Sequence, residues 1–355
     1  MKLFKSGTQQ PLLKMFILTV IAATIISLIT EHVEAPREAV NLFPRPAGAR
    51  RPLALYAVGN INLAGVETQS WFGEGSAPGF AALLRELATA DLAFGNLECQ
   101  LVKDQPAEGK LRNFSASPEA AAALASAGFD FLSTANEVAS EFDAQALGET
   151  IAGLRRVGVR HAGTGRTIDE AYAPAVIERQ GWRIALFAVT AHFNRNYFGL
   201  PTQSILACAN ITQLTRQIML ARHRFDLILV SYHGGDAEGE TPTDEARHFA
   251  RQCIEAGADI ILGHHPRAPQ AIELYRHRLI FYSLGDFIGG AEVSASREDQ
   301  RGLAARITVR NGEASNDLKF EVERVPLVND PLPRRAEGEA AREVLDLAPQ
   351  ISDDE

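Results

Sequence analysis

Six short clusters combine imidazole, carboxylate and carboxamide side chains, each directly behind an apolar run. They are Gly59-Asn60-Ile61-Asn62, Asn96-Leu97-Glu98, Asn136-Glu137, His233-Gly234-Gly235-Asp236, Gly263-His264-His265-Pro266-Arg267 and Ser283-Leu284-Gly285-Asp286-Phe287. A mixed nitrogen and oxygen donor set of this kind suits a divalent transition metal such as manganese, zinc or iron. Taken singly the clusters say little, and a lone His233 reads more readily as a structural histidine. The adjacent pair His264 and His265 carries more weight, since two imidazoles between a buried run and a proline are costly unless they bind something. Asn96 and Glu98 stand two apart on an extended segment, so their side chains share a direction.

The runs ahead of the clusters, at 53–58, 91–94, 130–133, 226–231, 259–262 and 279–282, read as short buried strands. Helices are expected at 80–88, behind Ser117-Pro118 up to Gly128, at 144–157 before Gly158, at 211–222, and at 244–256 before Gly257. Gln180-Gly181 marks a hairpin between 176–178 and 183–189, and a second hairpin joins 272–275 to 279–282. Strands at 303–309 and 318–325 close the pattern, the latter alternating Leu318, Phe320 and Val322 with Lys319, Glu321 and Glu323. Alternating α and β elements with antiparallel hairpins predict a layered α/β domain with mixed sheets. Ligands of such sheets gather at the carboxyl ends of strands, so the clusters are expected to converge.

The 355 residues are 46% hydrophobic and 22% charged, which excludes a disordered or fibrous chain. A net charge of −9 leaves no broad basic face for phosphates, so nucleic acid is not an expected partner. Cys99, Cys208 and Cys253 are too few for a disulfide framework, and Cys253 reads as a helix-core residue. Residues 1–14 form a basic stub with Lys2, Lys5 and Lys14. Residues 15–30 carry no charge and would span about 24 Å as a helix, a signal anchor or signal peptide. The near-side lysines and Pro36 favour an uncleaved anchor in the cytoplasmic membrane with the body outside it, periplasmic or at the cell surface. Residues 31–52 read as a proline-rich tether, 53–330 as the folded domain, and 331–355 as an acidic tail with one short helix and a frayed end.

With these residues in view, 53–290 resembles the CapA-type poly-γ-glutamate capsule synthesis proteins, a branch of the calcineurin-like metallophosphoesterase superfamily. The resemblance rests on Asn-Leu-Glu at 96–98, Ala-Asn at 135–136, His-x-Gly at 233–235, Gly-His-His-Pro at 263–266 and Tyr-Ser-Leu-Gly-Asp-Phe at 282–287. It implies a four-layer α/β/β/α sandwich, a two-metal site, and an anchored role in making or exporting an anionic surface polymer. The sequence departs from the family pattern where chemistry would occur. The opening Gly-Asp is Gly59-Asn60, Asn-Asn-His is Asn136-Glu137-Val138, His-Pro-His is His265-Pro266-Arg267, and a usual glutamate is Ala237.

By that resemblance Asn60 and Arg267 would serve the first metal, and neither can: an amide is neutral and a guanidinium repels cations. A two-metal centre is therefore not expected. Glu98, Glu137, His233 and His265 match the second-metal positions and are expected to hold one metal. Arg267, His264, Asn60, Asn96 and Asn136 are the expected anion contacts, with His192 and Arg195 as outlying candidates on a loop. Val138 stands where the family's proton donor would be, leaving Glu137 or Asp286 as substitutes. The sequence thus favours a binder of an anionic polymer, or of its assembly machinery, with weak or no hydrolysis. The competing reading is a mononuclear hydrolase of phosphoester or γ-glutamyl amide bonds.

Overall fold

The computed structural model describes residues 50–66, 72, 76–106, 108–193, 205–289, 301–312, 317–329 and 332–352. The expected stub, anchor and most of the tether lie outside the described residues, as does Arg195. Among the described residues no helix is long and apolar enough to cross a membrane.

The first sheet is centred on β1 (Leu53–Asn62) and β2 (Leu92–Leu97), whose residues are almost all buried on both faces. It also contains β3 (Phe131–Ser133), β4 (Arg160–Ala162), β11 (Asp286–Gly289), β12 (Arg301–Asn311), β13 (Leu318–Asn329) and β14 (Pro333–Arg335). Its order is β14-β13-β12-β1-β2-β3-β4, with β11 also pairing β1. The second sheet contains β5 (Ala175–Arg179), β6 (Trp182–Thr190), β7 (Leu227–His233), β8 (Ile260–His264), β9 (Ile272–Tyr275), β10 (Arg278–Phe281) and β15 (Gln350–Ser352), in the order β15-β9-β10-β8-β7-β6-β5. Strands β1, β2, β3, β4 and β11 are parallel where they pair, as are β6, β7, β8 and β10, so their carboxyl ends share one rim within each sheet.

Side-chain alternation divides the core into layers. Leu53, Leu55, Leu227, Leu229, Ile260 and Leu262 belong to one apolar cluster between the sheets. Tyr56 and Val58 turn the other way, against α1 (Pro78–Thr89) and α2 (Ala120–Ala127). Leu154 of α3 (Ala144–Arg156) joins them. Ile228, Val230 and Ile261 pack beneath α5 (Ile211–Arg222) and α6 (Asp244–Glu255), while α4 (Ile168–Tyr172) adds Ala171 and Tyr172. This is the four-layer arrangement expected. Local signals also hold: Asp143 caps α3 through Ala146 N at 2.9 Å, Gly128 closes α2 at φ 100°, and Gln180-Gly181 turns at φ 53° and 84°. Cys253 is fully buried in α6, and all three cysteines are free.

Residues 333–352 do not fray as expected. They form β14, α7 (Gly338–Leu347) and β15, adding an edge strand to each sheet and burying Val344 and Ala348 in the inter-sheet core. The expected short helix is present as α7, but net acidity hid that Val344, and Ala348 just past its end, reach the core.

Candidate functional site

Register brings the first sheet's polar residues together. In the β1 ladders Asn60 lies opposite Asp286 on one side and Asn96 on the other. The approach needs glycine: a Cβ on Gly59 would fall 1.8 Å from the Gly285 carbonyl oxygen, which accepts from Asn60 N at 2.9 Å. Asn60 Nδ2 donates to Asp286 Oδ1 at 2.9 Å, and Arg267 Nε lies 3.5 Å from Asp286 Oδ2. Asn96 Nδ2 donates to Asn60 Oδ1 at 3.0 Å. Asn136 Nδ2 donates to Leu97 O at 2.8 Å, while its Oδ1 accepts from Ala139 N at 3.1 Å.

The expected anion contacts Asn60, Asn96 and Asn136 are therefore corrected. All three are at most 3% exposed and spend their amides on one another, on Asp286, on His233 Nδ1 and on the backbone, so they brace the rim from inside. Arg267 stays at the rim, one quarter exposed. Beyond β1, Asn62 Nδ2 donates to Asn113 O at 2.9 Å. There, a polar cleft of about 190 Å³ is lined by Gln105, Arg112, Asn113 and Ser115.

The second sheet supplies the imidazoles. His233 ends β7 opposite His264, and its Nε2 lies 3.2 Å from His265 Nδ1 and 3.9 Å from Glu98 Oε1. His265 Nδ1 is also 3.7 Å from Glu137 Oε2. The four residues expected to ligate a metal thus form one connected group. His265 sits at φ 96°, a conformation that a side chain adopts at a cost and that recurs at functional sites.

His192 joins them. Its ring stacks on that of His265 at 4.1 Å, and its Nε2 lies 2.8 Å from Gly235 O. Donation to that carbonyl leaves the Nδ1 lone pair available, the arrangement that fixes metal-binding histidines. Glu137, His192 and His265 each offer a donor atom within 4.8 Å of the others. The signal for His192 was present in the sequence: it lies two residues past β6, and a strand assigned to end at 189 concealed it.

His264 departs from expectation. On β8 it follows Ile260 and Leu262 onto the inner face, wholly buried, its ring 5.5 Å from that of Phe94. Neither ring nitrogen has a hydrogen-bond partner among the described residues. It cannot meet an anion at the rim, because strand alternation sends it into the core.

Burial sets the protonation states. It pushes His264 down to about 3 and, with help from His192, His265 down to about 4. His233 is held well below the ordinary histidine range by burial and by the neighbouring imidazoles. All three are neutral near pH 7, and of them His233 and His265 stand at the rim, where a neutral ring can offer a lone pair to a cation. Glu98 is pushed well above the usual carboxylate range by burial and by Asp286 and Glu137. Val138, at the expected proton-donor position, is buried and apolar. Asp286 faces two donors, Asn60 and Arg267.

The residues therefore fit one cation on the Glu137–His192–His265 side, while Arg267 fills the Asn60–Asp286 side with a fixed positive charge.

Residues 54–291 match the model of the bacterial capsule synthesis protein PGA_cap. The chain is 28% identical over 210 residues to the capsule biosynthesis protein CapA of Bacillus anthracis, covering 57% of this chain and 51% of that one. It is 27% identical over 202 residues to the PGA biosynthesis protein CapA of Bacillus subtilis, covering 56% and 53%. The chain thus spans about half the length of these relatives. Among solved structures, the calcineurin-like phosphoesterase YfkN of B. subtilis aligns over 83% of this chain and 96% of its own, at 11% identity and a TM-score of 0.45.

Proposed function

The chain belongs to the PGA_cap family of bacterial capsule synthesis proteins, and from that premise we propose that it is a membrane-tethered accessory protein of poly-γ-glutamate or related surface-polymer assembly. In this role its rim holds one divalent manganese, zinc or iron ion and binds a carboxylate-rich polymer, or the machinery that builds it, with weak or no hydrolysis. Glu137, His192 and His265 would hold the ion, with His233 and Glu98 behind them. The ion would supply a Lewis-acidic point for an anionic oxygen. Arg267 supplies a second, permanent cation, one quarter exposed at the rim, to which a carboxylate can be drawn.

The observation that carries this reading is the ion pair of Arg267 with Asp286, set beside the neutral Asn60. A second metal at that place would face a guanidinium that never deprotonates and would lack an anionic ligand at position 60. With Val138 buried at the proton-donor position, both usual sources of turnover are weakened. One observation favours the mononuclear hydrolase: Glu98, pushed upward by burial, can retain a proton beside His233.

The test is elemental analysis of the full chain purified in detergent without chelator. The expected result is about one equivalent of transition metal, lost in His265→Ala and weakened about tenfold or more in His192→Ala. Two equivalents, or a folded protein still empty after reconstitution, would reject the single-ion reading. Hydrolysis of a phosphoester or γ-glutamyl amide abolished by Glu98→Gln, with metal content intact, would establish the alternative.

A further inference from the structure

The end of the domain opposite the rim has its own chemistry. Helix α5 buries Leu214, Ile218 and Ala221 against the second sheet and turns Arg216, Met219 and Leu220 outward, with His223 and Arg224 exposed just past its end. Met219 and Leu220 are 52% and 58% exposed, two of the largest apolar exposures in the described residues. Residues 211–224 contain three arginines and no acid, in a chain of net charge −9. Arg222 is turned inward onto Asp259, whereas Arg216 and Arg224 make no ion pair among the described residues. Acids near this end are already partnered: Asp226 by Arg50, Glu178 by Arg183 and Glu255 by Arg276.

The chain also enters the domain here. Arg50 Nη1 reaches Asp226 Oδ1 at 3.4 Å, and its guanidinium lies 4.9 Å over the Trp182 ring. Asp226 stands two residues after Arg224, so residues 1–49 join the domain beside the C-terminal end of α5. From that point β1 runs ten residues to Asn60 and Asn62, about 30 Å away.

We propose that the outer face of α5 docks on an anionic lipid surface, with Met219 and Leu220 entering the interfacial layer and Arg216 and Arg224 on lipid phosphates. The proposal rests on the reading that residues 15–30 bring the chain to a membrane. An anionic polymer would account for the arginines but not for two adjacent exposed aliphatic side chains, whereas an anionic lipid surface offers both an apolar layer for Met219 and Leu220 and phosphates for the arginines.

The test uses the full chain with Leu220→Cys in a Cys208→Ser background, since Cys99 and Cys253 are buried. An environment-sensitive fluorophore at position 220 is read in vesicles of phosphatidylcholine with and without phosphatidylglycerol. The expected result is a blue shift and quenching by doxyl lipids only with phosphatidylglycerol. Both should be reversed by high salt and reduced about fivefold for each of Arg216→Glu and Arg224→Glu. A label that stays water-like with phosphatidylglycerol overturns the proposal. So does a label that responds to soluble polyglutamate and not to the vesicles. Flotation with phosphatidylcholine alone reports separately on the anchor. If that fails while flotation with phosphatidylglycerol persists and depends on the two arginines, docking stands without the anchor.

Discussion

The two sides of the rim are built by the same rule and differ in how their charges close. On one side Asp286 accepts from Asn60 at 2.9 Å and pairs with Arg267, so the protein supplies its own cation. On the other, His233 and His265 meet nitrogen to nitrogen at 3.2 Å, and Glu137 stands 3.7 Å away. Each neutral imidazole carries one N–H and one lone pair, so without metal the contact is an N–H···N hydrogen bond whose proton a cation can replace. The comparison teaches that a polar cluster at a strand end does not by itself make a metal site. What decides is whether a fixed cation has already satisfied it.

The strongest way to break this difference is to reopen the closed side. Asn60→Asp combined with Arg267→His removes the guanidinium and restores an anionic ligand, and metal content is expected to rise from about one equivalent toward two. Asn60→Asp alone should leave the stoichiometry at one. It should also lower stability by about 1–3 kcal/mol, because a second carboxylate replaces a donor to Asp286. Calorimetric titration with manganese and denaturant midpoints of the two variants check both statements. A double variant still holding one ion would mean that Arg267 is not what closes the site.

Acid sharpens the same contrast. His265 in the fold sits near 4 against an ordinary value of about 6.5, so between these values the unfolded chain binds the additional proton. The stability that this group contributes is complete above about pH 6.5 and is lost as pH falls toward 4. His161, pushed down to about 4 by burial and by Arg155, adds to the loss with the same sign. Glu98 acts oppositely: its raised value means that the folded state keeps its proton longer, so Glu98→Gln should steepen the acid loss. Denaturant midpoints of metal-free protein across pH 7 to 4 read this directly. Bound metal, which competes with protons for the same lone pairs, should move the loss to lower pH.

Much of this was legible before the coordinates. Apolar runs placed most strands of the two sheets, though not β4, β11, β14 or β15, the Gln180-Gly181 turn fixed one hairpin, and the strand-end rule gathered Glu98, Glu137, His233 and His265. Three things were not legible, each for a physical reason. His192 was named as an outlying anion contact and not as a metal donor, because a strand end cannot be fixed to a residue from propensity alone, and one more position would have put it in line with the other clusters. Asn60, Asn96 and Asn136 were taken for ligand contacts because composition does not reveal that amides will satisfy one another. The short helix of residues 333–352 was expected, but its docking and the flanking edge strands were not, because an acidic segment that buries only Val344 and Ala348 reads as a tail.

His264 and His265 offer the finest version of the comparison, since adjacent residues of one type were expected to act together. The β8 pleat sends His264 to the inner face behind Ile260 and Leu262, while the positive φ of His265 turns its imidazole to the rim. A wholly buried imidazole without partners among the described residues costs about 1–3 kcal/mol relative to a satisfied group. His264→Leu keeps the volume roughly constant beside Phe94 and removes both unpartnered nitrogens. It is expected to raise stability by about 1 kcal/mol, less whatever repacking costs. Because burial holds His264 near 3, the substitution should also flatten the acid loss between about pH 6.5 and 3. Metal content and binding at the rim should be unchanged. Loss of the metal in this variant alone would show that the inner histidine positions the outer one. The division of the pair into core and site would then have to be redrawn.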